Sequence, residues 1–580
     1  MPGSAEFVQH FVHAIEAGAA SVWMRRGLAM VAVGTLAVVV LYNFRGLATS
    51  QAMDQAQIGR ALANGRGWHT NYARPLAVAQ LQSHRKDVPR QLWVDTYNAP
   101  LPPLVDAIAL FPIKSHLQPT ARDTVYIGDR AIVILAILLF FGSLVLQFLV
   151  ALRLFDRWLA LLACLLILFC NTMWEYAVSG LPQMLLLFLF NATLYPLVRA
   201  VEARYRGGAV GPWLAAVGTG FGLLALTHGL TIWIFAAALI FIGFFFRPRG
   251  RAVIFVLSAF LVLYVPWLIR NWVICGSPAG LACYSALDGL GHSEAGWMRQ
   301  VVFHADGVGP GALRDKMITN VFLQMGRIFE YLGGSVVAAM FFVSFLHLFR
   351  RAETSVIRWM LLVMWTGAVV GMAVFGLHEE QGVSANQLHL LFVPLMTCYG
   401  LAWLLVQWNR LGLQLPLARN GFIVGLFLLC GLPMINSLSG ILLGPPRPSF
   451  HWPPYVPPYI EVLHSWMKPE EITASDMPWA IAWYADRRSI LVPETVKTLT
   501  DLSDYGVLGG PIAALYLTPI SGTDNTLRDV TSGDYREWAP VILQTPDLSK
   551  LPFKWGTLAL GFEKECTFLS DRDRSKASAP

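Results

Sequence analysis

Asp54 is a lone carboxylate in the stretch MDQAQIGRALANGRGW (53–68), about ten residues past the end of the first hydrophobic run. A carboxylate just outside a bilayer can act as general base on a hydroxyl, provided it is ionised and within hydrogen-bond reach. The segment after it is a good helix former, and at helical spacing Asp54, Gln57, Ala61 and Asn64 share one face, with Ile58 and Leu62 beside it. A short helix lying on the membrane surface fits this pattern, ended by Gly65 and Gly67. The competing reading makes Asp54 an N-terminal cap or a solvated charge. Polar chemistry resumes at DTYNAPLPPL (95–104), where the prolines force an extended chain before a helix restarts from Val105. Tyr97 and Asn98 there can hydrogen-bond a sugar or a phosphate, or form an interfacial turn anchored by Trp93 and Tyr97.

Composition says what must hold these residues. The 580-residue chain is 55% hydrophobic and 14% charged, with mean hydropathy +0.52; soluble domains carry about a quarter charged residues. Apolar runs of about 17 to 25 residues read as membrane spans. They fall near 28–44, 131–152, 158–171, 181–198, 212–228, 230–246, 252–269, 331–349, 358–376, 388–407 and 421–443. The expectation is therefore a polytopic α-helical membrane protein of about eleven transmembrane helices. The first run follows Arg25–Arg26 and lacks a cleavage site, so it reads as an uncleaved anchor.

Arginine bias orients the spans. With the N-terminus cytoplasmic, the inside loops hold Arg153 and Arg157, Arg199, Arg204 and Arg206, Arg247, Arg249 and Arg251, Arg350, Arg351 and Arg358, and Arg410 and Arg419. The short outside loops 171–180 and 378–387 hold neither Lys nor Arg. These topogenic arginines account for the net charge of +7; no basic stripe or nucleic-acid motif accompanies it, which argues against a nucleic-acid partner.

The domain division expected is a transmembrane domain over 1–444, including the outside loops 45–130 and 270–330, then a proline-rich linker over 445–458. A small extracytoplasmic α/β domain follows over 459–580. In that tail, helices are expected at Tyr459–Met467 and Trp479–Ala485, and strands at Glu471–Ser475, Ser489–Val492 and Ile512–Leu517. Asp476 ends the first strand and reads as the cap of the helix after it. Of seven cysteines, Cys275 and Cys283 share one outside loop and are the pair placed for a disulfide in an oxidising compartment.

Four features together resemble the GT-C superfamily of membrane glycosyltransferases, which includes the protein O-mannosyltransferases and the lipid A aminoarabinose transferases. The first is the acid soon after the first span in a D-x-x-x-I-x-R-x-L-x-x-G-x-G run: Asp54, Ile58, Arg60, Leu62, Gly65 and Gly67. The others are PLPPL (100–104), GFGLLALTHGLTIW (220–233) and PWLIRNWVICGSP (266–278), and a bacterial subgroup also carries a tail phrase like SDMPWAIAWYADRRSILVP (475–493). The resemblance implies that Asp54 sits in an outward-facing cavity and activates an acceptor hydroxyl, and that the donor is a polyprenyl-phosphate-linked sugar. The acceptor is a lipid, a glycan or a protein, and the setting is the bacterial inner membrane. Gln55 follows Asp54 where the mannosyltransferases have a paired Asp-Glu, so a mannosyl-to-protein assignment does not carry over.

Such a transferase must stabilise a departing lipid phosphate, and arginine suits phosphate by its bidentate geometry. Arg270, at the outer end of a span and beside Asn271, is the first choice, with Arg74 and Arg130 behind it. Glu379 and Glu380 occupy a short outside loop and are the candidates for a second acid, which could orient the acceptor or hold a divalent cation. Glu175, Gln387, His389 and His228 lie near the same face, His228 reading as a packed residue. The alternative from another class, a transporter or lipid flippase, predicts ionisable residues deep within spans. The charges here fall almost entirely in loops and at span ends.

Overall fold

The computed structural model describes residues 44–574, except 48, 85–89, 92, 119–124, 291–295, 305–307, 413–415, 445–456, 524–529, 532, 534, 544, 546, 548–550 and 557–565, together with positions 34 and 40. Most of the anchor expected at 28–44 and of the linker at 445–458 lies outside the described residues.

Among the described residues five helices are long and apolar enough to cross a membrane: Ile127–Leu154, Gln183–Tyr205, Arg249–Cys275, Ala352–Phe375 and Ala418–Leu443. Arg157–Leu168 and Asn171–Ser179 add a sixth if they are one broken span, bent by 58°. The break falls where the Trp174 indole N–H donates to the Leu168 carbonyl at 2.8 Å, satisfying a helix-end acceptor. Three expected spans are shorter apolar helices, Gly211–Thr227, Thr231–Phe245 and Val336–Leu346. The first two are separated by His228, whose backbone is extended. Some of the polar atoms buried between the helices are paired, which lowers the cost of burying them: Asn191 Nδ2 donates to Ser143 Oγ at 2.8 Å.

Eight strands are described. β1 (Tyr72–Ala73) comes from the long first loop, and β2 (Glu379–Glu380) pairs with β3 (Val383–Ser384) as a small hairpin. β4 (Ile472–Ser475), β5 (Arg488–Leu491), β6 (Ile512–Leu517), β7 (Trp555–Gly556) and β8 (Thr567–Ser570) belong to the tail. One sheet runs in the order β1-β5-β4-β6-β8-β7. Its first four strands are parallel and β8 is antiparallel to both β6 and β7. The tail sheet thus takes its edge strand from a loop some 400 residues away, Tyr72 opposite Ser489 and Ala73 opposite Ile490. Trp93 and Val78 of the same loop complete the sheet's apolar core with Ile472, Ile490 and Leu515.

Arg60 and Asp129 are among the residues whose polar contacts fasten the tail to the helices beneath it. The buried Arg60 guanidinium donates to the carbonyls of Trp483 (2.8 Å) and Ala482 (2.6 Å) and to Asp486 Oδ1 (2.9 Å). The Asp129 carboxylate accepts from the Trp483 indole at 2.7 Å and the Tyr484 hydroxyl at 3.0 Å. Charged hydrogen bonds of this kind contribute roughly 1.5–3 kcal/mol each. Arg60→Met is therefore expected to loosen the 482–488 segment, and trypsin should cut after Arg487 or Arg488 several-fold faster than in wild type. An unchanged digestion rate would show that Asp129 and the β1 edge hold the tail without Arg60.

Candidate active site around Asp54

Asp54 lies in the Ser50–Ala63 helix, which neither floats on a surface nor takes Asp54 as its cap. Thr49 is the N-cap, its Oγ1 accepting from the Ala52 N–H at 3.2 Å. Eleven of the helix's residues are buried, because it is wedged between the Leu101–Leu110 helix and the 478–485 segment of the tail. The wedge is tight at Gly59, where a Cβ would stand 2.8 Å from Asp106 Cβ and 3.1 Å from the Pro103 carbonyl oxygen. Gly65, with φ +73°, ends the helix as expected.

Asp54 itself is 1% exposed, so the reading as a solvated charge is overturned. Its Oδ2 accepts from Arg74 Nη2 at 2.6 Å and from Asn98 Nδ2 at 2.7 Å. Its Oδ1 accepts one longer bond, 3.2 Å, from Gln57 Nε2. Gln57 is in turn fixed by the Thr70 hydroxyl and the Asn71 N–H. Arg74 follows directly on β1, so the tail sheet sets where this guanidinium begins. It lies between the rings of Tyr72 and Tyr97, 4.2 and 4.1 Å from their centroids, a sandwich favourable to a desolvated cation. Its Nη1 is 3.8 Å from Asp95 Oδ1.

Asp95 is the residue that sequence reasoning passed over, although it stands three positions before Asn98 in the same stretch. Its Oδ2 accepts from the Asn98 N–H at 2.9 Å, and its backbone carbonyl accepts from Arg270 Nη1 at 2.7 Å. Burial, and next the nearby Asp54 charge, push the Asp95 carboxyl above the usual carboxylate range, while Arg74 opposes the shift. Arg270 also bonds Asn271 Oδ1 at 2.7 Å and lies over the Trp267 ring at 4.5 Å. The structure thus joins Asp54, Arg74, Tyr97 and Asn98 directly, and links Arg270 and Asn271 to them through Asp95.

The other candidates go elsewhere. Glu379 pairs with Arg327 (2.8 Å) and Tyr331 (3.2 Å), away from the cluster. Glu380 accepts from the Ser50 N–H and hydroxyl, both at 2.6 Å, at the start of the Asp54 helix. Glu175 is exposed and bonds Asn171, and Arg130 is exposed. His389 is packed, accepting from the Trp365 indole and stacking on Tyr331, and Gln387 bonds its N–H. Asp476 does not cap the helix after it; its carboxylate gathers the Thr518 N–H and hydroxyl and the Ser521 N–H, closing the turn beyond β6. Cys275 and Cys283 are free thiols. Among the described residues no three His, Cys, Asp or Glu side chains converge as a metal site.

Beside the cluster lies a cavity of about 360 Å³, lined by Gln51, Tyr97 and Asn98 on one side and Tyr264, Trp267 and Asn271 on the other. His228, read from sequence as a packed residue, is in its wall. Asn98 bridges the two places, holding Asp54 with its amide nitrogen while lining the cavity.

Asp106, behind the Asp54 helix, has its carboxyl pushed up to about 8 by burial alone. A value raised in the folded state means that stability is fully present below the ordinary carboxyl value of about 4 and is lost as pH rises through about 8. Asp106→Asn, neutral throughout, is expected to raise the unfolding temperature at pH 7.5, with the gain vanishing toward pH 4 in a melt series.

No family model and no curated protein matches the sequence. The likeness is structural. ArnT from Cupriavidus metallidurans, solved with undecaprenyl phosphate, superposes with a TM-score of 0.54 at 12% identity over 96% of this chain and 99% of that one. Its apo form gives 0.51 at 12% identity over 97% and 100%. The chain has the GT-C fold. The apo oligosaccharyltransferase of Archaeoglobus fulgidus also matches, with a TM-score of 0.53 at 11% identity over 89% of this chain and 72% of that one. Within this GT-C fold, the acid cluster sits where the first long loop, the end of the Arg249–Cys275 helix and the tail meet.

Proposed function

We propose that this chain is a membrane glycosyltransferase that moves a sugar from a polyprenyl-phosphate donor to an acceptor hydroxyl. One observation carries the reading: in a GT-C fold, a buried Asp54 is oriented by three side-chain donors beside a cavity walled partly by an apolar, membrane-length helix. Asp54 is the general base. Its Oδ1, engaged among the described residues only by the long Gln57 bond, takes the acceptor proton as the acceptor oxygen attacks the anomeric carbon. The bond from that carbon to the phosphate oxygen breaks, and the polyprenyl phosphate leaves with the electron pair. Attack in a single displacement inverts the anomeric centre. Arg270 engages only Nη1 among the described residues, so its remaining N–H groups serve the leaving phosphate where charge develops. Arg74 holds Asp54 in register and does not reach the phosphate.

The site belongs on the extracytoplasmic face of a bacterial inner membrane, with the N-terminus cytoplasmic, about eleven spans over 1–444, and residues 459–580 as an outside α/β domain. The arginine bias of the loops supports this orientation. The acceptor is a lipid, a glycan or a protein. The test is transfer of labelled sugar from polyprenyl-phosphate donors by the purified, bilayer-reconstituted chain; no transfer from any such donor would overturn the reading.

A further inference from the structure

The cavity beside Asp54 has a chemical bias. Among its described lining residues there is no Asp, Glu, Lys or Arg. Its polar side chains are mostly amides and hydroxyls, among them Gln51, Thr96, Asn98, Asn271, Ser285 and Asn386, together with the His228 imidazole and the Cys283 thiol. Two of these are unsatisfied. Among the described residues Thr96 Oγ1 and Asn98 Oδ1 have no hydrogen-bond partner, although the residues are 2% and 5% exposed. Buried polar atoms left unpaired are unfavourable, and ligand hydroxyls would relieve them: a hydroxyl can donate to Asn98 Oδ1, and can donate to or accept from Thr96. Across the cavity, Tyr264 and Trp267 present aromatic surface from the Arg249–Cys275 helix, suited to the C–H face of a pyranose or furanose ring. A volume of about 360 Å³ lies at the small end of ligand pockets, enough for one or two sugar rings.

We propose that this cavity selects an uncharged, polyhydroxylated sugar on the lipid carrier, with Asn98 and Thr96 reading its hydroxyls. The inference rests on the transferase reading above. An ammonium or carboxylate on the sugar ring would meet no charged side chain among the described residues that line the cavity, and a buried unpaired charge is strongly disfavoured. The carrier's position follows from the walls. Trp267 lies on a membrane-length helix, and Arg270, about one turn on, stacks over the same ring at 4.5 Å from its centroid. A phosphate at Arg270 then places its sugar against Trp267 and Asn98. Asn98 becomes doubly engaged, its nitrogen on Asp54 and its oxygen on the sugar, so that sugar recognition and base orientation share one side chain.

The full chain in lipid nanodiscs can be titrated with four probes: bare polyprenyl phosphate and the same carrier bearing a neutral hexose, an amino pentose or a hexuronic acid. The neutral sugar should bind more tightly than the bare carrier and tighter than either charged sugar by on the order of tenfold or more. Thr96→Val should weaken neutral-sugar binding several-fold, and Asn98→Asp should shift the preference toward the amino sugar. A charged sugar that binds as tightly as the neutral one overturns this inference and leaves the transferase reading standing. If no sugar-bearing carrier binds more tightly than the bare one, this inference falls, and the transferase reading falls with it only if no such donor gives transfer. The wild-type series decides the matter even if a variant fails to fold.

Discussion

Asp54→Asn should lower the turnover number by about two to four powers of ten, the usual contribution of a positioned general base, with KM for the lipid donor little changed. The amide is isosteric and keeps an oxygen for the Asn98 and Arg74 donors that now meet Oδ2. It cannot take the acceptor proton. Arg74 loses one counter-charge but retains Asp95 at 3.8 Å, so the fold should survive with a modest fall in unfolding temperature. The pair of measurements separates chemistry from stability: a folded, donor-binding, slow enzyme is expected, and full activity in the variant would remove Asp54 from the mechanism.

Arg74→Met should have the largest effect on stability. It strands two carboxylates, Asp54 at 1% exposure and Asp95 at 5%; among the described residues the other cation bonded to this group is Arg270, whose reach is to the Asp95 backbone. Breaking a buried ion pair by removing one partner costs about 3–5 kcal/mol. The loss should depend on pH with a definite sign. Asp95 already has its value raised by burial, and Arg74 is the group that restrains the shift. Without Arg74 the folded value rises further above the unfolded one, so stability is retained at pH below the ordinary carboxyl value and lost as pH rises from there toward neutrality. Melts at pH 4.5 and 7.5 should therefore show a smaller deficit for the variant at the lower pH. Asp95→Asn in the same chain should restore part of the deficit at neutral pH, because it removes one of the two stranded charges. A deficit equal at both pH values would mean that packing between Tyr72 and Tyr97, and not charge, is what Arg74 supplies.

The difference between what was legible and what was not is clearest around this ion pair. Asp54 on a helix, the stop at Gly65 and the strand Ile512–Leu517 follow from local preference and periodicity, and they appear where the sequence puts them. In sequence Arg74 reads as a phosphate ligand, because an arginine in a long loop carries no directional signal. Only its place at the end of β1, an edge strand completed by the tail, turns it inward to Asp54. In sequence Glu379 and Glu380 read as second acids because they are acids in a short loop; the hairpin β2–β3 sends one to Arg327 and the other to Ser50. Asp95 looked like part of a proline-rich turn. Its role depends on Arg74 and Arg270, which approach from a loop and from a helix end 175 residues away.

Composition, run length and arginine bias suffice by themselves for a helical membrane chain with an acid just outside its first apolar run, because these are properties of single segments in water or lipid. The burial of that acid, its clamp by Arg74 and Asn98, and the docking of Trp483 and Asp486 on Arg60 across more than 400 residues were decided by the tertiary structure alone. The physical reason is that a polar side chain in a loop has no periodicity. Its partner is chosen by which desolvated donors and acceptors the packed helices and sheet bring within hydrogen-bond distance.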